Sequence, residues 1–247
     1  MIILITQDYN GLSIRAAKMT ADFINGNPGT LLCIAAGKTP LGMLAELVAM
    51  HRRKETDLAS VYYAGLDEWI GLGPGDTGSC YKVMTEAFYG PAGIPPDRIR
   101  LFDGSDADME RQRAAMEEWI AERGGIGFAL LGVGLNGHIG FNEPGTPDTK
   151  GCLIVPLDEI TITVSKKYSI KTSAQLKTGI TIGWSTLLDA RYAVLAASGA
   201  AKADIMKAAL EGPASPAVPA SLFQRHAGVT ALLDKDAAAK LSSHVTS

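Results

Sequence analysis

The sequence predicts one α/β domain built on a doubly wound, mostly parallel sheet with helices on both faces. Short apolar runs alternate along the chain with segments whose apolar residues recur at helical spacing. The short runs are apolar throughout, which is typical of parallel strands that are covered on both sides. The chain has 247 residues and no repeat, linker or low-complexity tract, so a single catalytic domain over residues 1–247 is expected.

The expected elements alternate regularly along the chain. Strands are predicted at 1–5, 30–36, 61–66, 98–103, 128–134, 179–183, 192–197 and 228–234. Helices are predicted at 11–24, 40–53, 78–89, 107–123, 202–212 and 235–243. Pro40 suits the first turn of its helix, and Gly212 suits the end of another. The segment 146–178 is long, polar and irregular, and we expect it to form a mobile lid.

Composition and charge argue against several classes of function. The formal net charge is −3 and no basic cluster stands out, so nucleic acid is not an expected partner. No apolar stretch approaches the ~18 residues of a membrane span, and the first residues lack the pattern of a secretory signal. The chain has an odd number of isolated cysteines, which favours a reducing cytoplasm; they are Cys33, Cys80 and Cys152. Because no His/Cys cluster has metal-ligand spacing, neither a metal nor another cofactor is expected.

Three polar, glycine-rich loops follow predicted strands. They span residues 36–42, 66–79 and 134–145. In parallel α/β sheets, ligands bind beyond the carboxyl ends of the strands. We therefore expect these loops to meet at one edge of the sheet and to carry the chemistry.

The first loop contains "GKT", which resembles the end of a nucleotide-binding P-loop. That motif needs a glycine five residues before Gly37, and Leu32 stands there. A shorter glycine turn that leads into a helix can still bind phosphate through backbone N–H groups. Lys38 would add a charge and Thr39 a hydroxyl. A plain strand-to-helix turn remains the alternative.

The third loop includes a G-x-G-x-x-G at residues 132–137, after a predicted strand. A dinucleotide site also needs a helix that begins at this motif. It needs an acidic residue about 20 residues further along the chain as well, and Asp158 stands there. Pro144 and Pro147 exclude that helix. The glycines therefore frame a loop that displays side chains.

The side chains expected on this loop are Asn136, His138, Asn142 and Glu143. Histidine is the side chain suited to moving protons near neutral pH, and a nearby carboxylate such as Glu143 could orient it. In the alternative interpretation, His138 only forms hydrogen bonds with the loop backbone.

The second loop begins with two adjacent carboxylates, Asp67 and Glu68. Neighbouring residues of a strand point to opposite faces, so only one of them should face a given pocket. Burial would make that carboxylate a stronger base, whereas a helix cap or a solvated turn is the alternative. A base, a histidine and a phosphate turn together suggest enolisation of a sugar phosphate.

Three stretches, "LDEWIGL", "GVGLNGHIGFNEPG" and "KTGITIGWSTLLDAR", resemble the amino-sugar-phosphate deaminase/isomerase family. The resemblance covers nearly the whole chain in matching order. It implies a modified doubly wound, Rossmann-like fold and an enzyme that opens the sugar ring, moves a proton from C2 to C1 and hydrolyses the imine. The products would be a ketose phosphate and ammonia.

The resemblance also implies roles for individual residues. Asp67 matches the base at C2, His138 the ring-opening histidine and Glu143 the acid of its relay. The phosphate would be held by the turn and by a lysine from a later loop; these residues are Gly37, Lys38, Thr39 and Lys202.

Two positions depart from the family pattern. Asn136 stands where glucosamine-6-phosphate deaminases usually have aspartate, and it can orient a histidine but cannot stabilise its charge. The Asn-Gly-His form is more similar to the galactosamine-6-phosphate branch, which implies tagatose 6-phosphate as the product; glucosamine 6-phosphate giving fructose 6-phosphate is the alternative. Lys166 or Lys167 replaces a family arginine in the lid region, and lysine lacks the guanidinium fork.

Two other functions remain as alternatives. The first alternative is a 6-phosphogluconolactonase. Enzymes of that class resemble the family through their phosphate turn and Gly-His loop, but Glu143 of this chain would have no role in simple lactone hydrolysis. A sugar-phosphate sensor would have no need of both Asp67 and His138. The expected partner is a small amino-sugar phosphate, without nucleic acid or membrane, and assembly into a homo-oligomer is left open.

Overall fold

The protein is described by a computed structural model that covers residues 1–165 and 176–242. Its strands are β1 Ile2–Thr6, β2 Leu31–Ile34, β3 Tyr62–Gly65, β4 Asp67–Trp69, β5 Ile99–Arg100, β6 Ile126–Gly132, β7 Cys152–Pro156, β8 Thr178–Ile182, β9 Tyr192–Ala197 and β10 Val229–Asp234. Its helices are α1 Tyr9–Gly26, α2 Leu41–Arg52, α3 Cys80–Met84, α4 Gly90–Ala92, α5 Met109–Glu122, α6 Glu159–Ser165, α7 Trp184–Leu188 and α8 Ala203–Glu211. A π-helical turn, Thr85–Tyr89, joins α3 to α4.

The main sheet has seven strands in the order β1-β10-β9-β6-β2-β3-β5, and every pairing in it is parallel. β2 lies between β3 and β6. The chain therefore runs from β2 to one side of the sheet, through β3 and β5, and then reverses to the other side of β2 at β6. This reversal opens a crevice at the carboxyl ends of the strands, where ligands of such sheets bind. The predicted fold class is confirmed.

The core is divided by this sheet into two hydrophobic clusters. Leu31 and Cys33 of β2 belong to one cluster, whereas Leu32 and Ile34 belong to the other. Because successive side chains of a strand point to opposite faces, each face of β2 packs against a separate layer. This arrangement explains why the strand is apolar at every position.

A second sheet of three antiparallel strands, in the order β4-β8-β7, lies beside the first. It includes the predicted strand 179–183, which pairs with β4 through Glu68 and Ile180 rather than joining the parallel sheet. The segment 146–165 also holds β7 and α6, although irregular structure was expected there. Residues 166–175 of the expected lid lie outside the described residues.

The last predicted helix, at 235–243, is wrong over its described part, which forms turns. The Asp234 carboxylate and carbonyl accept hydrogen bonds from Ala237 N and Ala238 N, so the chain turns at once after β10. A stretch this short has too little intrinsic helical stability to override such contacts. In residues 1–165 and 176–242, no helix is long and apolar enough to cross a membrane.

Candidate active site

A cavity of about 380 Å³ opens at the carboxyl edge of the main sheet. Its wall includes residues from each of the three loops expected to meet, among them Gly37, Asp67 and His138. Lys202, from the segment between β9 and α8, completes the same wall. The parallel topology thus brings together groups that are far apart in the sequence.

The glycine turn before α2 lines one end of the cavity with Gly37, Lys38 and Thr39. The Tyr9 hydroxyl braces this turn, because it donates to the Lys38 carbonyl at 3.1 Å and accepts from Gly42 N at 2.9 Å. Backbone N–H groups at the start of a helix favour an anion. The turn therefore suits a phosphate group.

Lys202 supplies a positive charge on the same cavity. Its Nζ donates to the Val133 carbonyl at 2.5 Å, which ties the lysine to the end of β6. Burial lowers the pKa of Lys202 to about 8, so the side chain is still mostly charged at neutral pH.

Asp67 begins β4 and faces the cavity. Its Oδ1 lies 3.6 Å from Cys80 Sγ, which can donate a weak hydrogen bond. Burial raises the pKa of Asp67 from 3.8 to about 6, although the charge of His138 and the contact with Cys80 oppose the rise. A carboxylate with this pKa is a stronger base than a solvated one.

Glu68 points away from the cavity and is 1% exposed. Its carboxylate accepts backbone hydrogen bonds from Trp69 N at 2.8 Å, Cys80 N at 3.0 Å and Tyr81 N at 2.8 Å. Burial raises the pKa of Glu68 to about 8 against the effect of these donors. Of the two adjacent carboxylates, then, Asp67 faces the cavity and Glu68 caps α3.

His138 lines the cavity and forms a pair with Glu143, which lies behind it. His138 Nδ1 lies 3.1 Å from Glu143 Oε2, and Asn136 Nδ2 donates to the same oxygen at 2.8 Å. Burial alone would raise the pKa of Glu143, but its contacts with His138, Thr161 and Asn136 outweigh it and hold that pKa below its usual value. An ionised Glu143 favours a proton on Nδ1 and leaves Nε2 free to accept one.

Asn136 also sets the loop conformation, since its Oδ1 accepts from His138 N at 3.2 Å. Asn142, expected among the displayed side chains, is instead fully buried. Its amide donates to the carbonyls of Ile139 and Ile182 and accepts from Trp184 N, so it joins the loop to the antiparallel sheet. A short amide side chain satisfies several buried backbone groups at once, which explains its burial.

The glycines of the third loop serve the histidine. A Cβ on Gly134 would lie 2.2 Å from His138 Cδ2 and 2.3 Å from Nε2, so the imidazole occupies that space. Gly137 has a φ of +87°, which a side chain rarely tolerates. No helix opens at the motif, because an isolated bridge pairs Val133 with Ile139 instead.

Sequence reasoning did not identify Thr161. Its Oγ1 lies 3.1 Å from His138 Nδ1, and the residue lines the cavity from α6. The available signal was Asp158, whose carboxylate accepts from Ile160 N at 2.8 Å and starts α6. Lys166, expected near the phosphate, and its neighbour Lys167 lie outside the described residues.

Within residues 1–165 and 176–242, no three His, Cys, Asp or Glu side chains gather closely enough to hold a metal ion. The cavity brings together a buried carboxylate, a histidine–carboxylate pair and a glycine turn at the start of a helix. Such a set defines a class of protein: an acid–base enzyme on a doubly wound α/β fold.

Comparisons with known proteins agree with this class. The family model "Glucosamine-6-phosphate isomerases/6-phosphogluconolactonase" matches residues 10–232. The glucosamine-6-phosphate deaminase of Thermoanaerobacter pseudethanolicus is 36% identical over 238 residues, which are 96% of this chain and 94% of that protein. The Halothermothrix orenii protein of the same name is 37% identical over 98% of this chain and 100% of its own length.

A solved structure described as a monomeric glucosamine-6-phosphate deaminase superposes with a TM-score of 0.92 at 33% identity, over 97% of this chain and 100% of that chain. A 6-phosphogluconolactonase from Trypanosoma brucei superposes with a TM-score of 0.79 at 22% identity, over 98% of each chain, which shows a shared fold. The chain belongs to the glucosamine-6-phosphate isomerase/6-phosphogluconolactonase family. The family resemblance of the sequence is confirmed.

Proposed function

We propose that the protein is a hexosamine-6-phosphate deaminase that converts glucosamine 6-phosphate to fructose 6-phosphate and ammonia. One observation carries this proposal: Asp67 and His138 face a single cavity beside the glycine turn, and Glu143 backs the histidine. Sequence relatives named glucosamine-6-phosphate deaminase support the substrate class.

The phosphate binds at the turn formed by Gly37, Lys38 and Thr39, and Lys202 lines the same cavity. Backbone N–H groups and the lysine charges neutralise the anion there. Lys166 is a further proposed phosphate ligand, from the segment outside the described residues. Binding at this end directs the sugar carbons toward the acid–base groups.

His138 opens the ring. Its Nε2 takes the proton of the O1 hydroxyl and returns a proton to the ring oxygen, while Glu143 stabilises the charge on the imidazole. The product of this step is the open-chain aldehyde. Asn136 takes part only by holding Glu143 and the loop, because an amide carries no charge.

Asp67 then moves a proton between neighbouring carbons. It removes the proton from C2 to form an enolamine and returns a proton to C1, which leaves an imine at C2. One water adds to that imine, and ammonia leaves as the ketone forms. The raised pKa of Asp67 suits this base role near neutral pH.

The sequence favoured galactosamine 6-phosphate through its Asn-Gly-His form, but the comparisons favour the alternative, glucosamine 6-phosphate. The two sugars differ in the configuration of one hydroxyl, and a pocket that forms a hydrogen bond with that hydroxyl discriminates strongly. The ratio of kcat/KM for the two amino sugars therefore tests the substrate directly. A ratio in favour of galactosamine would restore the first expectation.

The decisive assay compares glucosamine 6-phosphate, galactosamine 6-phosphate and 6-phosphogluconolactone, and follows ammonia, ketose phosphate and acid release. We expect ammonia and fructose 6-phosphate from glucosamine 6-phosphate. Acid release from the lactone without ammonia from either amino sugar would instead identify a lactonase. Binding of an amino-sugar phosphate without turnover would identify a sensor.

A second assay tests the assignment of the base. Asp67→Asn should abolish exchange of the C2 proton with deuterated solvent, because the amide cannot accept it. Inorganic phosphate binding should change little, since the phosphate turn is formed by other residues. Retained exchange would remove Asp67 from the base role.

Three further properties stay predictions. A single catalytic domain with a mobile lid around 146–178 is consistent with α6 lying on the cavity wall. A cytoplasmic location is supported by the unpaired cysteines Cys33, Cys80 and Cys152. Size-exclusion chromatography with light scattering would decide between a monomer and a homo-oligomer.

A further inference from the structure

We propose that Thr161 is a positioning residue of the His138–Glu143 relay, and that helix α6 thereby completes the catalytic centre. The inference rests on the proposed deaminase function. It concerns a hydroxyl from a separate element, 18 residues beyond Glu143 in the chain. The local motif around His138 therefore does not contain it.

The contact is short and buried. Thr161 Oγ1 lies 3.1 Å from His138 Nδ1, the same nitrogen that lies 3.1 Å from Glu143 Oε2. The Thr161 residue is 4% exposed, whereas Thr163, two residues further along α6, is exposed. The helix thus turns its buried hydroxyl toward the relay.

Helix α6 is fixed at its start. The Asp158 carboxylate accepts from Ile160 N at 2.8 Å, and its carbonyl accepts from Ile162 N at 2.9 Å. Leu157 N donates to the carbonyl of Lys177, the residue just before β8, which joins the entry of α6 to that strand. These bonds set the rotation of the helix and hence the direction of Thr161.

The apolar side of α6 also packs against the site. Ile162 contacts the cluster that contains Trp69 and Phe141, and both aromatic residues line the cavity. The packing of α6 against the cavity wall therefore fixes the position and orientation of the Thr161 hydroxyl. The relay is complete only while α6 lies against that wall.

The hydroxyl can hold the ring in both protonation states of Nε2, because Nδ1 keeps its proton in both. When Nδ1 carries a proton, the Thr161 oxygen accepts part of that hydrogen bond and its own proton can go to Glu143, whose pKa this contact lowers. The ring is thus held in one plane throughout a cycle in which Nε2 gains and loses a proton.

Other charged groups near His138 act on it from different directions. Glu143 lies behind the ring, Asp67 and Lys202 share its cavity, and Lys38 lies on the phosphate turn. The effects of Asp67, Lys202 and Lys38 do not depend on the Thr161 hydroxyl, which among the described residues forms hydrogen bonds only with the His138–Glu143 pair. A change confined to that hydroxyl therefore isolates the proposed role.

Thr161→Val tests the role, since valine has nearly the same shape and lacks the hydroxyl. Loss of one hydrogen bond to a charged pair predicts a fall in kcat of about tenfold. KM should stay within about twofold, because the phosphate turn is untouched. Thr161→Ser should restore most of kcat, and Thr163→Val is the matched control on the exposed side of α6.

Nitrogen-15 NMR of the His138 ring gives a readout that a merely structural role would not move. In the substrate-free protein, Thr161→Val should shift the His138 Nδ1 and Nε2 resonances, whereas Thr163→Val should leave them unchanged. His138→Gln assigns the signals by their loss. Thermal unfolding of each variant shows whether the fold is retained.

The outcomes separate this inference from the function on which it rests. If wild-type protein releases no ammonia from any amino-sugar phosphate, the proposed function fails, while the NMR comparison still tests Thr161. If the wild type is active and Thr161→Val matches it in kcat and ring resonances, the inference alone is overturned. An equal loss of kcat in Thr161→Ser and Thr161→Val would also overturn the inference.

Discussion

Asp67→Asn should stabilise the fold at neutral pH, in addition to removing the proposed base. The Asp67 carboxyl has an ordinary pKa of 3.8 and one of about 6 in the folded protein, mainly because of burial. The native state thus holds this proton more tightly than the unfolded state does. Stability must then fall as the pH rises from 3.8 through 6, and the full cost remains at higher pH.

The size of the cost follows from the two pKa values. A rise from 3.8 to about 6 corresponds to about 3 kcal/mol at neutral pH. One side of the carboxylate faces the cavity, where water screens the charge, and we halve the figure to about 1.5 kcal/mol. For a chain of this length, such a gain raises Tm by about 3–6 °C.

Urea unfolding of the wild type and Asp67→Asn at pH 7.5 and pH 4.5 measures this effect. The advantage of the variant should shrink to about a third at pH 4.5, because the native carboxyl of the wild type is then mostly protonated. Asp22→Asn is the control, since that carboxylate is exposed and pairs with Lys18 on the surface of α1. It should show no comparable gain.

Two results would refute the reasoning about Asp67. A variant no more stable than the wild type at pH 7.5 would mean that the buried charge costs nothing. An advantage equal at both pH values would mean that it comes from packing rather than from ionisation.

Three other changes have definite expected outcomes. In initial-rate measurements from pH 5 to 9, kcat/KM should rise through about pH 6 as Asp67 ionises and fall above about pH 8 as Lys202 loses its charge. The profile of kcat should lack the upper decline, since bound phosphate keeps the lysine charged. A decline of both kcat and kcat/KM above about pH 8 would contradict this. Glu68→Ala leaves three buried backbone N–H groups without their acceptor, so urea unfolding should show a loss of about 2 kcal/mol, and an unchanged midpoint would exclude a stabilising role for these three hydrogen bonds. Asn136→Asp replaces a donor 2.8 Å from Glu143 with a second carboxylate, which should raise the pKa of Glu143. Carbon-13 NMR titration of the Glu143 carboxyl checks this, and an unchanged pKa would contradict it.

The parts of the site that the sequence could predict are those that depend on local pattern. Pro144 and Pro147 excluded a nucleotide-type helix after the glycine motif, and the chain indeed forms a loop there. Strand alternation predicted that one carboxylate of Asp67 and Glu68 would face a pocket. The parallel topology brought three separate loops to one cavity, because such strands end at the same edge.

The parts that escaped prediction depend on contacts between distant elements. Thr161 lies in a stretch with no helical signal, since α6 is short and is held by its cap and by packing. Glu68 interacts with the backbone of residues 80 and 81, and no sequence pattern specifies where those N–H groups lie. The helix expected at 235–243 failed for a related reason: contacts at the end of β10 outweigh a weak local preference.

A side chain at position 134 and the imidazole of His138 would compete for the same space, so the structure cannot hold both. A Cβ at 134 would lie 2.2 Å from the imidazole, so a side chain there displaces the ring. Gly134→Ala should therefore be severe when His138 is present and mild in a His138→Ala background. A side chain at position 134 therefore fits only after the imidazole is removed, and this glycine makes room for an imidazole ring rather than for a nucleotide.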